Sequence, residues 1–253
     1  MLLRAENLCK RFGGVSALEA LDLEIEAGAV HSIIGPNGAG KTTLLNLLCG
    51  IYRPEEGRVR IREQSMVGRA PHEFAAAGIG RTFQNLQIFF NMSALENVMA
   101  GRWLHERSSL AAALLRLPSL ARAERACRAH AQELLAFVGL DAWRDAPSEA
   151  LPYGALKRLE IARALAAKPA LLLLDEPAAG LNPTETLEID RLIQRLAAAG
   201  VTIVLVEHNM KLVMGVSQHV VVLDYGRKLA EGSPDAVRRD PKVIEAYLGV
   251  EAS

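Results

Sequence analysis

The sequence has no net charge, few cysteines and no long hydrophobic run, and each absence removes a class of function. Lys plus Arg total 29 and Asp plus Glu total 29. That balance excludes a broadly basic nucleic-acid face, though not a local patch. Cys9, Cys49 and Cys127 are odd in number, lack CxxC spacing and fall in separate expected elements. They read as small buried residues of a reducing compartment, not as disulfides or metal ligands. The first twelve residues carry Arg4 and Glu6 and no unbroken apolar core, so they do not form a signal peptide. No apolar run approaches the roughly 18 residues needed to cross a bilayer. A run such as 171–174 is of core-strand length. The expectation is a soluble protein that reaches a membrane only through a partner. Repeats and low-complexity linkers are also lacking.

Half of the 253 residues are hydrophobic and 23% are charged, a globular composition with enough chain for a real core. Short β-rich runs alternate with helical stretches, which predicts an α/β fold. Residues 17–26 alternate apolar and polar and stop at Gly28, as a half-exposed strand of an antiparallel start does. Residues 30–34 form a buried strand that runs into a glycine-rich turn, and 41–49 read as a helix. Residues 171–175 and 201–206 are continuous apolar runs, expected of parallel strands covered on both faces. Between them Ile189, Leu192, Ile193 and Leu196 give one apolar helical face ending at Gly200. Residues 219–224, Tyr225-Gly226 and 227–232 read as a hairpin, and 234–248 as helix. From about 93 to 168 no strand is evident. A helical stripe of Leu120, Ala123, Cys127, Ala131, Leu134 and Val138 has Arg122, Glu124, Arg125, Arg128, Gln132 and Glu133 off it, a solvated face.

Residues 35–42 read Gly35-Pro36-Asn37-Gly38-Ala39-Gly40-Lys41-Thr42, the GxxxxGK[ST] pattern between a strand and a helix. Glycines let consecutive N–H groups converge on phosphate oxygens, and the helix adds its positive dipole end. Lys41 is placed for the β- and γ-phosphates, Thr42 for Mg²⁺, a hard cation that takes oxygen ligands, and Thr43 for the α-phosphate. A chance match occurs in roughly one in a hundred chains of this length, before the strand–turn–helix context is counted. Asp175 and Glu176 end the apolar run at 171–174, at the sheet edge where ligands bind in open α/β folds. Asp175 is placed to hold Mg²⁺ and Glu176 to orient or deprotonate an attacking water.

Taken together and in order, these motifs resemble the ATP-binding cassette (ABC) ATPases over essentially the whole chain. The resemblance implies a P-loop NTPase (RecA-like) core at 1–88 and 166–253, with an N-terminal antiparallel β-subdomain and an inserted helical subdomain at about 89–165. Gln84, in Arg81-Thr82-Phe83-Gln84, matches the glutamine loop, which senses Mg²⁺ and the γ-phosphate. Ala179-Gly180-Leu181-Asn182 matches the D-loop and His208 the switch histidine. Phe12 lies where the family stacks an aromatic on adenine. A lone glutamine or histidine would be surface or core filler, and a lone Phe a core residue; order and spacing favour the functional reading. Leu151-Pro152-Tyr153-Gly154-Ala155 stands at the signature segment, commonly LSGGQ, which completes a partner subunit's site. Pro152 brings neither a serine hydroxyl nor an N–H, and Ala155 lacks the glutamine side chain.

The Leu-Pro-Tyr-Gly form resembles the ATPase subunits of branched-chain amino acid importers, the Liv type. So do 81–89, 91–99, 175–186, 206–217 and 245–249. The subgroup's characteristic helical insertion corresponds to about 103–133, and its usual glutamine at position 155 is absent here. The implied cofactors are ATP and Mg²⁺. The implied partners are a second cassette (a paralogue in the subgroup's usual pairing, or a second copy), two permease subunits and, indirectly, a periplasmic or extracellular substrate-binding protein, with no nucleic acid. The implied location is the cytoplasmic face of a bacterial plasma membrane, with docking near Gln84 to Asn97. Urea or amide importers, lipopolysaccharide-type exporters and soluble ABC proteins remain as alternatives.

Overall fold

The computed structural model describes residues 1–102 and 118–248. The stretch 103–117 of the expected insertion, and Gly249 of the C-terminal segment, lie outside them. Strand β1 (Leu3–Phe12) pairs antiparallel with β2 (Val15–Ile25). On its other edge it pairs with β4 (Glu56–Ile61), which carries β5 (Gln64–Ser65). The order is β2-β1-β4-β5. In β2 the alternation puts Leu21, Leu23 and Ile25 inside and Asp22 and Glu24 outside.

The second sheet has the order β10-β9-β3-β8-β7-β6, built from β3 (Val30–Ile34), β6 (Ile79–Arg81), β7 (Leu171–Asp175), β8 (Thr202–Val206), β9 (His219–Asp224) and β10 (Arg227–Gly232). All pairings are parallel except the β9–β10 hairpin. Tyr225 and Gly226 both have positive φ there, the backbone a tight two-residue turn requires.

Every residue of β3, β7 and β8 is buried, because both faces of this sheet are covered. Leu172, Leu174, Ile203 and Leu205 face one core, shared with α3 (Ala94–Gly101), α4 (Pro118–Phe137), α5 (Tyr153–Ala166) and α6 (Pro183–Ala198). Leu171, Leu173, Val204 and Val206 face a second core, shared with the antiparallel sheet and α1 (Lys41–Leu48). Each fully buried leucine contributes about 1.5–3 kcal/mol, so β7 is anchored from both sides and its acidic end is fixed. Helix α2 (Pro71–Ala76) precedes β6; α7 (Met210–Val216), α8 (Pro234–Arg239) and α9 (Pro241–Leu248) follow β8 and β10. None of the described helices is long and apolar enough to cross a membrane.

Two details differ from the sequence reading. On α4, Cys127, Ala131 and Leu135 are buried, as is Val138 just past its end, while Ala123 is exposed and Leu134 only half-buried. Steps of four, four and three keep the stripe on one side of a 3.6-residue helix, and Leu135 takes the place given to Leu134. Cys9 is half-buried, not buried: β1 is bulged around it, and its sulfur accepts a hydrogen bond from Ala20 N.

Candidate functional site

The C-terminal ends of four neighbouring parallel strands bring the candidate residues together. The glycine-rich turn follows β3, His208 follows β8, Asp175 and Glu176 end β7, and Gln84 follows β6. The turn is shaped by backbone geometry that only glycine tolerates. Gly35 has φ 152° and Gly40 φ 100°. A Cβ on Gly35 would lie 2.1 Å from the Leu223 carbonyl oxygen, and one on Gly40 would lie 2.5 Å from that of Ala17. A Cβ on Gly38 would meet nothing within 4 Å. Asn37, Gly38 and Thr42 are exposed; Pro36 and Thr43 are half-buried, and Ala39 is packed inside.

Gly40 caps α1 without a side chain, and the first turn of the helix carries no acid. Its N–H groups have no carbonyl four residues back within the helix. Lys41 is 6% exposed, and its Nζ donates to the carbonyls of Gly35 (2.7 Å) and Pro36 (2.8 Å). Burial pushes this ammonium down from its ordinary value, and Glu176 and Asp175 oppose that. An ammonium held by carbonyls at the start of an uncapped helix suits a polyanion.

Glu176 sits at the junction of three loops. Gln84 Nε2 donates to its Oε2 at 3.1 Å, and His208 Nε2 lies 2.7 Å from its Oε1. The Glu176 backbone has φ +48°, a left-handed conformation that costs a non-glycine residue of order 1–3 kcal/mol and is held by its surroundings. Its N–H donates to Val206 O, which ties it to β8. Asp175 is 2% exposed. Burial pushes its carboxyl up, and the neighbouring Arg81 guanidinium pulls it back without cancelling the rise. Asp175 Oδ2 accepts from Arg81, and its buried Oδ1 has no hydrogen-bond partner. A buried, unpartnered carboxylate oxygen fits a hard cation.

Phe12 is exposed, edge-on to Tyr52 and beneath Lys10 Nζ. In the signature segment Pro152 and Tyr153 are exposed, and Leu151, Gly154 and Ala155 are buried. Ala155, 4% exposed, packs among the helices of its own chain and adds no side chain to the surface. The D-loop folds against this segment: a Cβ on Gly180 would stand 3.3 Å from the Tyr153 ring, and one on Gly154 would stand 2.6 Å from Glu185. Ala179 and Leu181 close successive turns onto Glu176 O and Ala178 O, and Asn182 caps α6.

The comparisons bear on the family and the fold. A family model described as ABC transporter matches residues 18–179. The chain belongs to the ABC transporter family. A second model, described as branched-chain amino acid ATP-binding cassette transporter, matches residues 227–253. The high-affinity branched-chain amino acid transport ATP-binding protein BraF of Pseudomonas aeruginosa is 43% identical over 98% of both chains. LivG of Escherichia coli, with the same description, is 42% identical over 98% of both. A nucleotide-free ATP-binding cassette from an ABC transporter superposes with TM-score 0.84 at 34% identity, covering 97% of this chain and 98% of that one. A cassette in its ADP conformation gives 0.83 at 33% identity, covering 98% of both. The fold of this ABC cassette is that of a P-loop ATPase.

Three further side chains of the cassette hold the loops that carry the candidate residues, and sequence reading assigned them no role. Glu207 accepts from Ala178 N with one oxygen and from His208 N and Asn209 N with the other, joining the D-loop to the switch histidine. Glu160 on α5 accepts from Phe83 N and Gln87 N, and Lys157 donates to Gln84 O. These bonds span 29 to 77 residues of sequence, except Glu207's links to its own neighbours. The only signal in the sequence was a charged residue one position before His208, or inside an otherwise apolar helix face.

Proposed function

We propose that this ABC cassette is the ATP-hydrolysing subunit of a membrane importer for branched-chain amino acids. The observation that carries the catalytic reading is Glu176, held by Gln84 and His208 and set beside Lys41 at the C-terminal edge of the sheet. Turn residues 35–43 would bind the phosphates, and Phe12 would stack on the adenine. Thr42, Gln84 and Asp175 would hold Mg²⁺, which when bound neutralises phosphate charge. Glu176 would take a proton from the attacking water while Gln84 and His208 fix its carboxylate plane. His208 would also donate toward the γ-phosphate as charge develops there.

The strand-edge residues form a core, about 1–88 and 166–253, and the residues from about 89 to 165 a helical subdomain. Leu151 to Ala155 would act in trans on a second cassette, a paralogue or another copy, with Ala179 to Asn182 beside it. Two ATP molecules would lie between the cassettes, and closure on ATP would drive two permease subunits that dock near Gln84 to Asn97. A separate binding protein would select the cargo. This places the subunit at the cytoplasmic face of the plasma membrane, attached through the permeases. The sequence and names of the relatives support amino-acid import over export or soluble roles.

Glu176→Gln tests the catalytic part. It should keep ATP binding and lower turnover by about 10²–10⁴, the range for a positioned base. Near-normal turnover would remove Glu176 from that role. Radiolabelled leucine uptake tests the cargo: cells lacking the chain should lose it and regain it with the wild-type protein but not with Glu176→Gln.

A further inference from the structure

We propose that Arg81 is a positioning residue that presents one oxygen of Asp175 to the metal of the bound nucleotide, a proposal that rests on the reading of Asp175 as a Mg²⁺ ligand. Arg81 ends β6, and its side chain is 6% exposed. Its guanidinium forks between two elements. Nη2 donates to Asp175 Oδ2 on β7 at 3.0 Å, and Nη1 donates to Asn46 Oδ1 on α1 at 2.6 Å, with Cys49 Sγ 3.0 Å away. The Phe83 ring lies beneath, 4.8 Å from the guanidinium carbon. One planar cation thus joins the helix that begins in the phosphate turn to the strand that ends in the two carboxylates.

The consequences follow from charge and geometry. Arg81 supplies a full positive charge at hydrogen-bond distance and occupies Oδ2. Oδ1 is left buried and unpartnered. Ligand carboxylates are commonly oriented by such partners. Asn46 and Phe83 in turn hold the guanidinium, so the orientation is relayed from the helix that also carries Lys41 and Thr42. Lysine at this position would keep a charge but has no fork to reach both Asn46 and Asp175.

The test measures ATP binding to the full chain by titration calorimetry, in EDTA and across a Mg²⁺ series, for wild type, Arg81→Met, Arg81→Lys, Asp175→Asn and the double variant Arg81→Met/Asp175→Asn. Arg81→Met should raise the Mg²⁺ concentration for half-maximal enhancement of ATP binding by about 10–100-fold, the range for partners that orient a ligand. Affinity in EDTA should stay as in wild type. Arg81→Lys should fall between the two, and the double variant should be no worse than Asp175→Asn, because both changes remove the same oriented oxygen. If Asp175→Asn raises the Mg²⁺ requirement and Arg81→Met does not, the proposal is overturned and the metal role of Asp175 stands. If neither shifts it, the reading of Asp175 fails and takes the proposal with it. Equal losses in EDTA and in Mg²⁺ would make Arg81 a scaffold of the phosphate turn and also overturn the proposal. Should Arg81→Met melt too low to assay, Arg81→Lys decides: normal melting with a raised Mg²⁺ requirement supports the proposal, and a wild-type requirement ends it.

Discussion

Among the described helices, two begin with neither a capping side chain nor an acid in the first turn, and four others are closed by their own side chains. Helix α1 starts from Gly40 and α5 from Pro152; neither has a capping side chain or an acid in its first turn. By contrast, Ser93 and Glu96 form a reciprocal capping box on α3, and Asn182 and Glu185 do so on α6. Asn209 caps α7 through Leu212 N and Ser233 caps α8 through Ala236 N, while α2 starts at Ala70 with no capping side chain but carries Glu73 in its first turn. A missing cap costs about 0.5–2 kcal/mol. The two ends with neither cap nor acid keep free N–H groups and the positive end of the dipole for an external anion. They are the two ends that the proposed function assigns to phosphate, one in the chain's own site and one in its partner's.

The largest expected effect comes from closing α1. Gly40→Ala would hold alanine at φ 100°, with its Cβ 2.5 Å from the Ala17 carbonyl and 2.9 Å from Leu18 Cδ2. The backbone strain alone is about 1–3 kcal/mol, and a carbonyl in a β-strand has little room to give. The variant should unfold at markedly lower urea and lose ATP binding measured by calorimetry. Wild-type values for both would show that the turn does not need its left-handed residue. The next effect concerns α5. Pro152→Asp would add the cap and the first-turn charge that this helix lacks, so the chain should gain about 0.5–2 kcal/mol. ATP turnover of the assembled transporter should fall about tenfold or more, since opposed like charges cost several kcal/mol. Pro152→Ser should give much of the stability gain without the loss. A fully active Pro152→Asp complex would show that no phosphate faces this helix. Asn182→Ala does the reverse, opening a closed end. It should cost about 1 kcal/mol in urea unfolding and shift turnover less than Pro152→Asp does.

Much of this contrast was legible in the sequence, because open ends are written as glycine and proline and closed ends as serine or asparagine. Residues 30–42 and 171–176 could be read outright: a continuous apolar run, a glycine-rich turn and an acidic stop each have one physical meaning. The antiparallel start was read only in part. β1 loses its period-two pattern where the register shifts between Ala5 and Leu8 and again before Lys10. β6 is three residues long, too short for periodicity, yet it carries Arg81 and leads into Gln84. Arg81, Lys157, Glu160 and Glu207 gave no local signal that named a partner. Their partners lie tens of residues away, and only the fold makes a buried charge meaningful by showing what it faces.

The smallest expected effect tests how α5 manages without an acid at its start. Its one buried acid, Glu160, lies in the third turn and serves the loop at 83–87 rather than its own helix end. Burial raises this carboxyl above its ordinary value of 4.5, and the N–H of Phe83 and the Lys157 ammonium only partly pull it back. The folded chain therefore holds the Glu160 proton more tightly than the unfolded chain does. This favourable contribution is complete below the ordinary value and is lost as pH rises through the raised one. Glu160→Gln keeps an oxygen for Phe83 N and removes the burden of a buried charge. Its Tm should exceed that of wild type at neutral pH, with the difference shrinking as pH falls toward 4.5. Thermal unfolding across this range checks the slope. A variant that melts lower at every pH would show that Lys157 and the loop N–H groups need the negative charge, and that α5 is held through its charged hydrogen bonds to the loop more than through packing.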